Sequence, residues 1–156
     1  MRIAHLAEAS EYLPAIARAH RRAFGGLAPE WSQQAAIAEL HAHTLDDRLP
    51  STWVALASSQ WLGSVSLLDA DEAVPSAPRL ASLYVRPQAR GRGIGAGLVA
   101  HCVQVAACEG LRLLHLYCLP ALQPFYQRLG WHTQTTLLLG PMPVVVMAIA
   151  PGARNA

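Results

Sequence analysis

Gly91, Gly93, Gly95 and Gly97 alternate through Arg90-Gly91-Arg92-Gly93-Ile94-Gly95-Ala96-Gly97-Leu98, with Arg90 and Arg92 set among them. Each glycine removes a Cβ that would hold a ligand away from the backbone. A turn of this kind at a helix start aims several N–H groups at one point, at the positive end of the helix dipole, where an anion is stabilised. The chemistry this predicts is phosphate binding by the N–H groups from Arg90 to Ala96, with charge added by the guanidinium of Arg90 or Arg92. A nucleotide-like cofactor carries such phosphates. Four alternating glycines flanked by arginine are more than a bare turn requires.

The loop needs a strand before it and a helix after it. Leu80 to Val85 is an apolar, β-prone run closed by Pro87. After the loop, Ile94, Leu98, Val99, Cys102, Val103 and Ala106 line one side of a helix over Gly93 to Glu109, with Gly110 as its stop. Leu111 to Cys118 reads as the next strand, apolar apart from Arg112 and His115. Strand, helix and strand with no spare residues make a βαβ unit, so these two strands should be parallel. Upstream, Arg2 to Leu6 is a candidate first strand. Leu13, Ile16, Ala17, His20, Ala23 and Phe24 fall at helical spacing over 12–24, ended by Gly25-Gly26. Ser32 is a candidate N-cap for a second helix reaching about His43. Thr52 to Ser58 and Trp61 to Leu68 form a hairpin, and Asp69 to Pro78 a loop. Leu122 to Leu129 is a short helix, and Trp131 to Leu139 and Val144 to Ile149 are closing strands. No linker divides the pattern, so 1–150 is read as one domain and 151–156 as a tail.

Bulk properties narrow the function. The formal charge of +2 is too small for a nucleic-acid partner. The positive charge is instead local, at Arg86, Arg90 and Arg92, which suits a small polyanion. The N-terminal residues hold no long apolar run, and Thr136 to Ala150 is broken by Gly140, Pro141 and Pro143. Neither reads as a signal peptide or a membrane span. Three cysteines with no CxxC pair fit reduced thiols, and a cytoplasmic location is expected. His41-x-His43 splits its rings across a helix with no acid or cysteine beside it, so no metal is expected.

Two common phosphate loops fit poorly. No Gly-Lys followed by Ser or Thr is present, so this is not a P-loop. Gly91-x-Gly93-x-x-Ala96 matches a relaxed dinucleotide fingerprint, but the following strand ends Tyr117-Cys118-Leu119 with no acid to hold a ribose. The segment Val85-x-Pro87-x-x-Arg90-Gly91-x-Gly93-Ile94-Gly95 resembles the acetyl-CoA signature of the GCN5-related N-acetyltransferase (GNAT) superfamily. Its core is Arg90-x-x-Gly93-x-Gly95. Downstream, Phe125-Tyr126-Gln127-Arg128-Leu129-Gly130-Trp131 is similar to that superfamily's F-Y-x-x-x-G-F/W segment. The element order also matches, with the likeness strongest from Leu80 to Trp131 and closest to a bacterial-type branch.

That resemblance implies an α/β fold, a mixed sheet of about seven strands with helices on both faces. It implies a central splay between the parallel strands 80–85 and 111–118. Acetyl-CoA would be the co-substrate, its pantetheine arm bonding along Leu83-Tyr84-Val85 as an added strand. Its pyrophosphate would sit on Arg90, Gly91, Arg92, Gly93, Ile94, Gly95 and Ala96, and its thioester carbonyl near a main-chain N–H of the first strand. Tyr126 matches the superfamily's general acid, a phenol that donates without first ionising. Many relatives carry a glutamate on the signature strand, and Leu80 to Val85 holds no acid. His115 on the other splayed strand is a candidate base, its plainer reading being a half-buried strand histidine. Where relatives place an asparagine seven residues before the tyrosine, this chain has Leu119. Asp69, Asp71 and Glu72 are read as a solvated turn that could attract an amine. Trp31 is read as packing near an acceptor pocket, and Cys118 as a buried thiol. The expected reaction is acetyl transfer to a primary amine, on a small molecule or peptide, by direct attack in a ternary complex. The alternative is a binding module that holds acyl-CoA and transfers nothing. The apolar final strand offers an edge for a homodimer.

Overall fold

Apolar residues at every third or fourth position make Leu13–Phe24 a helix (α1) that buries Leu13, Ile16, Ala17 and His20. The computed structural model describes residues 1–24, 32–44, 49–70 and 77–152. A strand precedes α1 (β1, Arg2–His5), and a second helix follows (α2, Gln33–Ala42). Ser32 caps α2, its hydroxyl accepting from the Ala35 N–H at 3.0 Å. The hairpin is β2 (Ser51–Ala57) and β3 (Gln60–Leu68). Then come β4 (Arg79–Val85), α3 (Ile94–Cys108), β5 (Leu114–Cys118), α4 (Gln123–Arg128), β6 (His132–Leu139) and β7 (Met142–Ile149).

The seven strands form one mixed sheet, in the order β1-β2-β3-β4-β5-β7-β6. Only β4 and β5 run parallel; the remaining neighbours are antiparallel. The helix α3 crosses between them, as a right-sized βαβ connection requires. One face carries α3 and α4 over Val65, Leu67, Leu80, Leu114, Leu116 and Met147. The other carries α1 and α2 over Ala4, Val54, Leu56 and Trp61. Two separate apolar cores therefore flank the sheet. No helix among the described residues is long and apolar enough to cross a membrane.

Three local expectations change. The strand β5 starts at Leu114, not Leu111, because the Leu111 N–H closes α3 by donating to the Ala106 carbonyl at 3.0 Å. The strand β7 starts at Met142 and runs through Pro143. Its pairing with β5 begins only at Val145, so the missing N–H of Pro143 costs no bond on that side. The final strand is not a free edge: β7 is held between β5 and β6, and the edges of the sheet are β6 and β1. An edge for a second copy, had β7 been one, is thus ruled out there.

Candidate active site

The strands β4 and β5 pair at Arg79 and His115, where the His115 N–H donates to the Pro78 carbonyl at 3.0 Å. No further register pair joins them among the described residues, so the sheet opens beyond that point. The cause lies on the other side of β4. Between the pairs Ser64–Tyr84 and Ser66–Ala81, β3 advances two residues and β4 three. The extra residue is a bulge, which bends a strand and breaks its ladder. Ser82 takes the left-handed conformation there, with φ of 57°, a state a serine adopts at a cost of about 1–2 kcal/mol. The main-chain groups of Leu83, Tyr84 and Val85 consequently border an open gap, where an extended ligand can bond as a strand would.

The glycine-rich loop lies at the end of this gap. Gly93 is the N-cap of α3, with φ of 78° and no side-chain cap. The first backbone bond of the helix runs from the Gly97 N–H to the Gly93 carbonyl at 3.0 Å. The amides of Ile94, Gly95 and Ala96 therefore precede the ladder, as orphan donors at the positive end of the dipole. A Cβ on Gly95 would lie 3.6 Å from Val85 Cγ2, 3.7 Å from Phe125 Cζ and 4.0 Å from Leu83 Cδ2. The first turn of α3 thus faces the apolar side chains of β4 and α4 at contact distance. Arg90 Nε donates to the Val85 carbonyl at 2.9 Å, its guanidinium 5.9 Å from the Tyr84 ring centre. Arg92 Nη2 donates to the Gln88 carbonyl at 3.3 Å. Both arginines are exposed and keep further donors for an anion.

A glycine outside the loop sets how closely these parts meet. A Cβ on Gly63 of β3 would stand 2.6 Å from the Tyr84 carbonyl oxygen, 3.2 Å from Val85 Cα and 3.3 Å from Leu98 Cδ1. The main chain of β4 could not hold its place against it, and Leu98 of α3 would have to give by a few tenths of an ångström. Glycine inside a strand often marks such an approach, and Gly63 within the run Trp61 to Leu68 is that signal in the sequence.

Tyr126 on α4 is buried, with 5% of its surface exposed. Its ring packs edge-on to Phe125 at 4.9 Å and to Trp131 at 6.1 Å. Burial raises its phenol well above the usual range, and the neighbouring Cys118 adds to the effect. The hydroxyl stays protonated through neutral pH and can act there as a donor, not as a base. Cys118, at the end of β5, is also raised by burial, and its thiol lies 3.8 Å from Met147 Sδ. It is an inert neighbour of the tyrosine, as a buried thiol should be.

A family model described as the Acetyltransferase (GNAT) family matches residues 13–131. The chain belongs to that family. Solved GNAT-type structures agree in fold. An aminoglycoside 6'-N-acetyltransferase complexed with coenzyme A superposes with a TM-score of 0.78 at 16% identity, covering 100% of each chain. Ribosomal-protein-alanine N-acetyltransferase from Brucella melitensis gives 0.76 at 22% identity, covering 96% of this chain and 99% of that one. The yncA protein of Salmonella typhimurium, solved with its cofactor acetyl-CoA, gives 0.73 at 17% identity over 99% and 96%. No curated protein matches the chain.

Of the residues singled out from the sequence, Leu83, Tyr84 and Val85 lie on β4 beyond its last pair with β5, Gly95 stands beside Leu83 and Val85, Arg90 bonds to Val85, and Tyr126 packs against Phe125, which also faces Gly95; others fall elsewhere. His115 sits at the closed end of the gap with 1% exposure, buried beyond the half-buried state expected. Its ring stands 5.4 Å from that of Tyr117. Asp69 lies away from the loop, in a cavity of about 390 Å³ at the C-terminal end of α3, with Trp53, Val105 and Glu109. His43 uses Nδ1 to bond Thr52 Oγ1 at 2.7 Å. No group of three metal-ligating side chains occurs among the described residues. Trp31, Asp71, Glu72 and the Gly25-Gly26 stop lie outside the described residues.

Proposed function

We propose that this GNAT protein is an N-acetyltransferase that moves the acetyl group of acetyl-CoA to a primary amine by direct attack in a ternary complex. One observation supports the reading above others: the uncapped first turn of α3 stands beside the stretch of β4 that no longer pairs with β5, Gly95 lying against Val85 and Leu83. An extended molecule with a diphosphate at one end fits that pair of features. Acetyl-CoA supplies an activated acyl group as a thioester.

The chain's own residues then divide the work. Arg90 to Ala96 hold negative charge through the backbone and, at Arg90 and Arg92, through guanidinium donors. The freed edge of β4 at Leu83, Tyr84 and Val85 orients the arm and offers an N–H to a carbonyl oxygen. Tyr126, kept neutral by burial beside Cys118, gives a proton to the departing sulfur. The proton lost by the attacking amine passes to water and water returns one to Tyr126, so that amine and thioester become amide and free thiol with no net change in protons. We assign no residue to receive the amine's proton: His115 lies on the gap's second strand, but its burial at the closed end favours packing. The acceptor is a small molecule or a peptide amine.

Calorimetry with acetyl-CoA, followed by a thiol-release screen over polyamines, aminoglycosides, amino acids and peptides, tests the reading. Binding with amine-dependent thiol release is expected. Binding without release from any amine would favour a protein that only holds acyl-CoA, and no binding would remove both readings.

A further inference from the structure

His20 is a buried imidazole that the chemistry above leaves unused. It lies on α1 with 4% exposure, among the apolar residues that dock α1 on the sheet. An apolar side chain would serve that packing without the cost of burying a polar ring. Its contacts say what it does instead. Nε2 is 2.9 Å from Ser64 Oγ on β3, and the ring is edge-on to Tyr84 of β4, centre to centre 6.1 Å.

Ser64 and Tyr84 are not an arbitrary pair. They are direct partners across β3 and β4, next to the irregularity that carries Ser82. Tyr84 also meets Trp61 at 6.0 Å and lies under the Arg90 guanidinium. One imidazole therefore touches both strands where the sheet opens, and reaches the phosphate loop through a single side chain. Gly95, Leu83, Val85 and Phe125 crowd together on the α3 and α4 side. Tyr84 faces the opposite side, packed against the α1 and α2 core but half-buried, so with a ligand on the α3 side the part of Tyr84 left exposed is the surface an amine can meet.

We propose that His20 is a positioning residue for the acceptor amine, fixing the Tyr84 ring, together with the Ser64 hydroxyl, on the face that α1 and α2 cover. The inference rests on the acetyl-transfer reading. The imidazole does this work in its neutral form. Among the described residues it faces His43 from α2, Phe24 on α1, Ser64 on β3 and Tyr84 on β4. Burial first, and then His43, lower its pKa to about 4.

The test compares wild type with Ser64→Ala, His20→Leu and His20→Gln. Leucine keeps volume and loses the bond; glutamine carries an amide nitrogen near the place of Nε2. Acetyl-CoA affinity is read by calorimetry. The kinetics of tryptamine, spermidine and trialanine, whichever the wild type acetylates, are read by thiol release. Acetyl-CoA Kd should stay within about twofold, while amine kcat/KM falls about three- to tenfold in Ser64→Ala and His20→Leu, the scale of one hydrogen bond. His20→Gln should recover most of that loss. The indole N–H signal of Trp61 in a ¹H–¹⁵N spectrum needs no acceptor, and should shift in the first two variants and return in the third. Folded variants with wild-type amine kinetics would overturn the role, whether or not the Trp61 signal moves. If none of the three amines reacts, the amine found by the thiol-release screen takes their place, because the Trp61 signal reports the packing and not the acceptor. A wild type that binds no acetyl-CoA would instead remove the reading on which the inference stands.

Discussion

Replacing Gly95 by alanine should make the free protein more stable and the ligand weaker, two effects of opposite sign from one methyl group. Gly95 is the second residue of α3 and has no left-handed φ. Its added Cβ would meet only ordinary contacts, none nearer than 3.6 Å. Alanine exceeds glycine by about 0.8–1.0 kcal/mol inside a helix, and somewhat less in a first turn, so a gain of about 0.5 kcal/mol is expected. The same methyl stands against Val85, Leu83 and Phe125, on the first turn of α3 whose amides of Ile94 to Ala96 would hold the diphosphate. Pushing it back would forfeit one or two charge-assisted bonds, each worth about 1.5–3 kcal/mol. Acetyl-CoA affinity should fall about ten- to a hundredfold or more. Urea unfolding gives the first number, and calorimetry the second. A Gly95→Ala protein that binds acetyl-CoA as tightly as wild type would refute the idea that the start of α3 is the grip.

Tyr126→Phe should lower kcat by about a hundredfold or more, the usual scale for losing a proton donor, with acetyl-CoA Kd unchanged by calorimetry. An equal loss of cofactor affinity would mean that Tyr126 packs and does not donate. The pKa of His20 is depressed to about 4 from its ordinary 6.5. The unfolded chain therefore binds the extra proton first, and the stability contributed at neutral pH is lost as pH falls from 6.5 to 4. The amount is about 3 kcal/mol, visible as a falling urea midpoint that His20→Leu should flatten. Gly63→Ala should destabilise by about 1–3 kcal/mol, because its Cβ would stand 2.6 Å from the Tyr84 carbonyl oxygen; an unchanged thermal midpoint would show that β4 can yield.

Much of this arrangement could be read from residue order, for local reasons. Glycine and proline punctuate the region from Leu80 to Gly130, and the helical spacing from Ile94 to Ala106 is unbroken, so strand, loop, helix and strand follow without tertiary knowledge. The position of Ser82 could not be read that way. Leu-Ala-Ser-Leu-Tyr-Val looks like plain strand, and the bulge depends on how β4 meets β3. The placement of β7 inside the sheet is likewise a matter of strand order, which the apolar run at Val144 to Ile149 does not encode. The bond from His20 to Ser64 spans 44 positions, and helical periodicity marks His20 only as inward-facing.

The surplus residue in β4 sets what good folding means for this chain. A version one residue shorter at Ser82 could keep its hydrogen-bond ladder continuous from β3 onward and lay β4 flat against β5. That molecule would have fewer unsatisfied backbone groups and no seat for a guest. Selection for robustness alone would favour the deletion, so an unusually heat-tolerant variant altered at this spot should be checked first for lost activity.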